Sequence, residues 1–208
     1  MLARPSTAAV IGPGLGGDPA ARDACLEIVK GIGCPLVIDA DGLNALAAAG
    51  ASCAVLARKA PTVLTPHPGE LRRLLPSAPP DRPSQARRLA DESGCIVVLK
   101  GHRTLVAEPG GRLSVCLQGS PALARGGTGD VLSGLLGSCL ARGIEPFLAA
   151  SAAVYLHGLA GELLARERGE HMVPASAIAA ALPAAARLAR ERAGHSEDDR
   201  ANASIGEL

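Results

Sequence analysis

The stretch Gly126-Gly127-Thr128-Gly129-Asp130-Val131-Leu132-Ser133-Gly134 decides how the rest of this chain is read. Three glycines within four residues let the backbone approach a ligand closely and take up positive φ angles. Val131, Leu132, Leu135, Leu136 and Leu140 follow at helical spacing, so the loop opens onto a helix expected over 130–141. Free N–H groups and the positive end of the helix dipole make such a place an anion site. Asp130 is the odd element, because a carboxylate repels the anion the site attracts. It is either a helix N-cap or a base aimed at a nucleophile beside a phosphoryl group.

The same order of strand, loop and helix recurs upstream. A strand over 8–11 ends in Gly12-Pro13-Gly14-Leu15-Gly16-Gly17, and Asp18-Pro19 starts a helix with Ala21, Cys25, Ile28 and Val29 on one face. A buried strand over 36–38 ends at Asp39-Ala40-Asp41-Gly42, with a helix expected over 43–49 and Asp41 as its cap. A third strand, 62–64, is closed by Thr65-Pro66-His67-Pro68-Gly69-Glu70. After a proline-rich patch a helix is expected over 84–92, and a strand over 96–99 delivers Lys100-Gly101. Residues 104–107 and 113–116 read as an antiparallel pair turned at Pro109-Gly110-Gly111. Further helices are expected over 145–167 and 174–192, and 194–208 reads as a disordered tail after one domain over 1–193. Short strands alternating with helices give an α/β fold with a mostly parallel central sheet flanked by helices and a small antiparallel strand pair. Ligands then sit beyond the carboxyl ends of the strands.

Composition narrows the chemistry. A chain of 208 residues with 48% hydrophobic content can bury the core of one domain. A net charge of +1, with Phe147 and Tyr155 as the only aromatics, offers neither a broad electrostatic surface nor stacking platforms for nucleic acid. No apolar stretch reads as long and clean enough to span a bilayer, and the start lacks a signal-peptide layout, so no membrane partner is expected. The six cysteines form no C-x-x-C pair, which points to buried thiols in a reducing cytoplasm and to no zinc site.

The strand ends carry the candidate functional groups. Asp39 and Asp41 suit either a paired-carboxylate or Mg²⁺ role or strand-end capping. Asn44 gets no firm role. His67, stiffened between two prolines, can donate to a ligand or satisfy loop carbonyls, and Glu70 complements a helix dipole. Lys100 at a strand's carboxyl end fits phosphate binding, and Thr104 adds a hydroxyl. Glycine-loop donors, a lysine, a histidine and a poised aspartate suit phosphoryl transfer to a hydroxyl. There is no G-x-x-x-x-G-K-[ST] loop, and Gly12 to Gly17 lacks the spacing of a dinucleotide fingerprint.

Taken in order, these segments resemble the ADP/ATP-dependent NAD(P)H-hydrate dehydratases of the ribokinase-like superfamily. The resemblance rests on Val10 to Gly16, Ile38 to Asn44, Thr65 to Glu70, Lys100-Gly101 with Thr104, Gly119 to Gly134, and Tyr155 to Gly158. It implies repair of NADHX and NADPHX, in which ATP or ADP phosphorylates the ring hydroxyl and phosphate is then eliminated. By carry-over Asp130 is the catalytic carboxylate, and Gly14, Gly16 and His67 bind the hydrate. Lys100, Gly101, His102, Arg103 and Thr104, with Gly126, Gly127, Thr128 and Gly129, bind the adenine nucleotide. Asp39, Asn44 and Glu70 are secondary candidates. Mg²⁺ on the phosphates, a homo-oligomer such as a tetramer, and pairing with an NAD(P)HX epimerase are also implied.

Three departures from the family pattern stand out. Members carry an additional segment before the Gly-Pro-Gly-Leu-Gly strand, so the chain is expected to lack part of the family fold. Gln118-Gly119-Ser120-Pro121 replaces an Asn-Gly-Asn-Pro approach, and Arg125 stands where a smaller residue is common, either contacting phosphate or solvated. Two other readings stay open: another ribokinase-like small-molecule kinase, or an inactive nucleotide-binding fragment.

Overall fold

The computed structural model describes residues 7–50, 58–171 and 173–205, with 195–205 as backbone alone. Cys53 lies outside the described residues. The strands are β1 (Ala9–Ile11), β2 (Leu36–Ile38), β3 (Thr62–Leu64), β4 (Ile96–Leu99), β5 (Leu105–Ala107) and β6 (Leu113–Val115). They form one sheet in the order β1-β2-β3-β4-β5-β6, parallel from β1 to β4 and antiparallel from β4 to β6. The helices are α1 (Pro19–Gly31), α2 (Ala40–Ala48), α3 (Pro68–Leu74), α4 (Arg82–Ser93), α5 (Thr128–Ala141), α6 (Pro146–Arg168) and α7 (Ala175–Ile205).

Parallel strands covered on both faces must be apolar on both, which is why β2 and β4 are uninterrupted aliphatic runs. Their alternate residues divide between two cores. Leu36, Ile38, Leu64, Val97 and Leu99 pack with residues of α1 to α4. Val37, Val63, Ile96 and Val98 pack with Leu132, Leu136 and Leu140 of α5 and with α6. A third cluster joins α6 to α7 through Leu159, Leu164, Ile178 and Ala185.

Several expectations are corrected. Asp39, not Asp41, caps α2, which begins at Ala40. The helix expected from 84 begins at Arg82, capped by Asp81. Ile28 is 44% exposed, while Cys25 and Val29 of the same helix are buried. The helix expected to end at 192 is α7, which runs through Ile205, the last described residue. By length and composition α6 is apolar enough to cross a bilayer, contrary to the sequence reading. Most of its apolar window is buried between α5 and α7, as in the core helix of a globular protein.

Candidate active site

Backbone hydrogen bonds align the ends of the parallel strands. The N–H of Asp39 donates to Ile11, that of Thr65 to Ile38, and that of Lys100 to Pro66. Each strand therefore delivers its next residue to one edge of the sheet. A Cβ on Gly12 (φ +121°) would lie 1.8 Å from the Asp39 carbonyl oxygen, so a residue without a side chain is required there.

Asp39 is the centre of this edge and is 1% exposed. Its Oδ1 lies 2.6 Å from Lys100 Nζ, and its Oδ2 accepts a 2.7 Å bond from the buried Ser133 hydroxyl of α5. Burial pushes the Asp39 carboxyl up, but the Lys100 ammonium, with hydrogen bonds from Lys100, Ser133 and Thr65, outweighs it and holds the group below its ordinary range. Glu70 approaches Lys100 at 3.8 Å. Its main task is local: it accepts from the His67 N–H while the N–H groups of Gly69 and Glu70 donate to His67 Nδ1, a reciprocal cap on α3.

The glycine loop enters α5 with Gly127 as N-cap in the left-handed region, at φ +84°. Asp130 is thus the third residue of the helix and not its cap. Its carboxylate is exposed and makes no hydrogen bond or ion pair among the described residues. The N–H groups of Gly129 and Asp130 likewise take no partner among the described residues. A Cβ on Gly129 would sit 3.6 Å from Lys100 Nζ and 3.7 Å from Asp39 Oδ2, so the helix start rests against the buried ion pair.

A cavity of about 720 Å³ opens beside this edge. It gathers Lys100, Gly101, His102, Arg103 and Thr104 with Thr128, Gly129 and His67. Gly14, Gly16, Gly126, Gly127, Asp130, Asn44, Asp39 and Glu70 are not among its lining residues. Gly14 and Gly16 take positive φ in the β1–α1 turn, where the Gly16 N–H donates to Asp41 at 2.9 Å. Asn44 accepts from Arg73 at 3.0 Å. Of the expected nucleotide residues, Gly126 and Gly127 lie off the cavity; of the expected hydrate residues, His67 lines it while Gly14 and Gly16 lie in the β1–α1 turn.

Three contributors were not legible as such. Ser133 lies inside the glycine-rich stretch, yet only folding puts it on Asp39. His157, buried on α6, places Nε2 3.0 Å from the Thr128 carbonyl; burial lowers its pKa to about 4 against that hydrogen bond, so the ring is neutral near pH 7. Gly158 admits the Gln118 backbone, which a Cβ would meet at 2.7 Å, and so brings the 117–121 segment onto the cavity. Arg125 is exposed, lines the cavity and donates through one guanidinium nitrogen to the His171 carbonyl.

This arrangement, a mixed α/β sheet with a glycine-loop helix across its carboxyl edge, is that of ribokinase-like proteins. A ribokinase-like superfamily protein of Enterococcus faecalis superposes with a TM-score of 0.73 at 32% identity, over 86% of this chain and 62% of that one. The NAD(P)H-hydrate dehydratase family model matches residues 2–184, and the chain belongs to that family. It is 50% identical over 151 residues to the bifunctional NAD(P)H-hydrate repair enzyme Nnr of Gloeobacter violaceus, covering 72% of this chain and 29% of that protein. The ADP/ATP-dependent NAD(P)H-hydrate dehydratase of Bacillus subtilis, co-crystallized with ATP/Mg²⁺, superposes with a TM-score of 0.78 at 34% identity, over 88% of this chain. The chain spans 29% of the Gloeobacter protein's length and 64% of the Bacillus chain.

Proposed function

We propose that this chain dehydrates NADHX and NADPHX to NADH and NADPH at the expense of ATP or ADP. The observation that carries the reading is the α5 start. Unpartnered Gly129 and Asp130 N–H groups and a free Asp130 carboxylate stand beside a cavity walled by Lys100 to Thr104. In this reading the cavity holds the nucleotide, with Thr128 and Gly129 against its phosphates and Gly126 and Gly127 shaping the approach. Gly14, Gly16 and His67 face the hydrate. Asp130 takes the ring hydroxyl's proton as the terminal phosphoryl group passes to the oxygen, and the amide donors meet the charge on that group. The C–O bond then breaks, orthophosphate leaves with the electron pair, and a proton is lost from the neighbouring carbon.

Mg²⁺ belongs to the same reading. Among the described residues no three acidic, histidine or cysteine side chains converge on one point, and Asp39 is taken up by Lys100 and Ser133. Such a donor set fits a magnesium ion carried by the nucleotide phosphates and completed by water, with Glu70 the nearest further carboxylate to Lys100. When bound, the ion would neutralise phosphate charge. The reading also carries a cytoplasmic, homo-oligomeric protein, such as a tetramer, working with an NAD(P)HX epimerase. The five described cysteines are free thiols, which suits a reducing compartment.

The test is direct. Purified chain, NADHX, Mg²⁺ and either ATP or ADP are mixed, and the absorbance of reduced nicotinamide is followed with release of orthophosphate. A nucleotide-dependent rise with phosphate released is expected, and the nucleotide that supports it names the donor. A stable phosphorylated hydrate without NADH would instead make the chain a kinase.

A further inference from the structure

Lys100 to His102 are held by a residue that belongs to none of the motifs. Arg82 is the first residue of α4, lies within the proline-rich patch between Pro80 and Pro83, and stands outside the cavity lining. Its guanidinium donates through Nη2 to the carbonyls of Leu99 (3.2 Å) and Lys100 (3.3 Å), and through Nη1 to that of His102. One planar fork thus captures three carbonyls of the chain leaving β4.

The backbone beside this contact is sharply turned at two positions. Gly101 takes φ +139°, and a Cβ on it would meet Arg82 Nη2 at 3.0 Å. Arg103 takes φ +55°, a region that a side chain ordinarily avoids. A turn so shaped is costly by itself and persists when surrounding contacts dictate it.

The charge is equally telling. Among the described residues Arg82 has no carboxylate partner, and its Nε is buried without a hydrogen bond. A half-buried guanidinium that meets only carbonyl dipoles leaves its positive charge uncompensated. That charge stands directly behind the loop whose other side faces the cavity.

We propose that Arg82 is a positioning residue for the nucleotide: it fixes the Lys100–Thr104 wall and adds positive potential where a polyanion would bind. The inference rests on the assignment of the cavity to nucleotide. An ammonium in its place would keep the charge but could not span three carbonyls in one plane.

Arg82→Met and Arg82→Lys variants of the full chain would be compared with the parent protein. Circular dichroism would check folding, and calorimetric titration with Mg·ATP and Mg·ADP would read affinity. Steady-state KM values would be taken separately for nucleotide and for NADHX. The methionine variant is expected to lose about ten- to hundredfold in nucleotide affinity and to raise the nucleotide KM by a similar factor, with the NADHX KM nearly unchanged. The lysine variant is expected to recover part of that loss. Wild-type nucleotide affinity in a folded Arg82→Met, or equal losses for both substrates, would overturn the proposal. If the methionine variant does not fold, the lysine variant decides alone, and parental affinity there overturns the proposal. Failure of the parent chain to bind either nucleotide would instead sink the cavity assignment itself.

Discussion

Asp39 and Lys100, sixty-one positions apart in sequence, meet through Oδ1 and Nζ at 2.6 Å in the interior of the site edge. With Ser133 on the other carboxylate oxygen, the pair ties β2, β4 and α5 together at one point. Asp39→Asn should destabilise the protein by about 3 kcal/mol, because it leaves the Lys100 ammonium without its buried counter-charge. Denaturant unfolding at neutral pH checks the value. The folded carboxyl titrates below its ordinary 3.8, so the pair's contribution is complete above that pH. It is lost as the pH falls from there through the lower folded value.

His157 gives a second, separate acid response. Its folded pKa of about 4 lies below the ordinary 6.5, so the unfolded chain takes up the proton first. Stability from this group is complete above 6.5 and is lost as the pH falls towards 4, on the order of 3 kcal/mol in all. His157→Gln retains an N–H for the Thr128 carbonyl but does not titrate. Its unfolding free energy should fall less steeply than the parent's over that interval.

Asp130→Asn removes a carboxylate that no intramolecular contact requires. Turnover should fall by several kcal/mol of barrier while nucleotide binding and melting temperature stay near those of the parent. Phosphate release and calorimetric nucleotide titration separate the two effects. A variant with parental turnover would remove Asp130 from the role of base.

Gly12→Ala tests the closest backbone approach at the site. The new Cβ would fall 1.8 Å from the Asp39 carbonyl oxygen at a φ of +121°, so both packing and backbone must yield. A loss of more than about 3 kcal/mol, or failure to fold, is expected. Soluble yield and thermal unfolding give the answer.

Much of the fold was legible because local rules decide it. The short apolar runs at 36–38 and 96–99, with Thr62-Val63-Leu64, read as buried strands because turn residues bound them. Asp18-Pro19 marked a helix start, since aspartate accepts a free first-turn amide, here that of Ala21, and proline has no N–H to leave unpaired. Caps that depend on neighbouring backbone were harder to place. Asp41 and Asp39 both suit an N-cap; in the fold Asp39 accepts from the Ala40 N–H while Asp41 accepts from the distant Gly16 N–H. The apolar content of α6 also went unremarked in the sequence: the helix is long and apolar enough to cross a bilayer, and its burial in the fold accounts for that composition.

By itself, then, the chain determined an alternating strand–helix order, a glycine-loop helix start with a carboxylate on its first turn, and the residues at each strand's carboxyl end. Those are consequences of propensity, periodicity and capping, which act over a few residues. Tertiary structure alone decided that Lys100 would be neutralised by Asp39, that Ser133 would hold that carboxylate from a third element, and that Arg82 would grip the loop after β4. Such contacts join residues from 17 to 94 positions apart. Their energy exists only once packing has excluded water and brought the strand ends into register, and local sequence cannot express that.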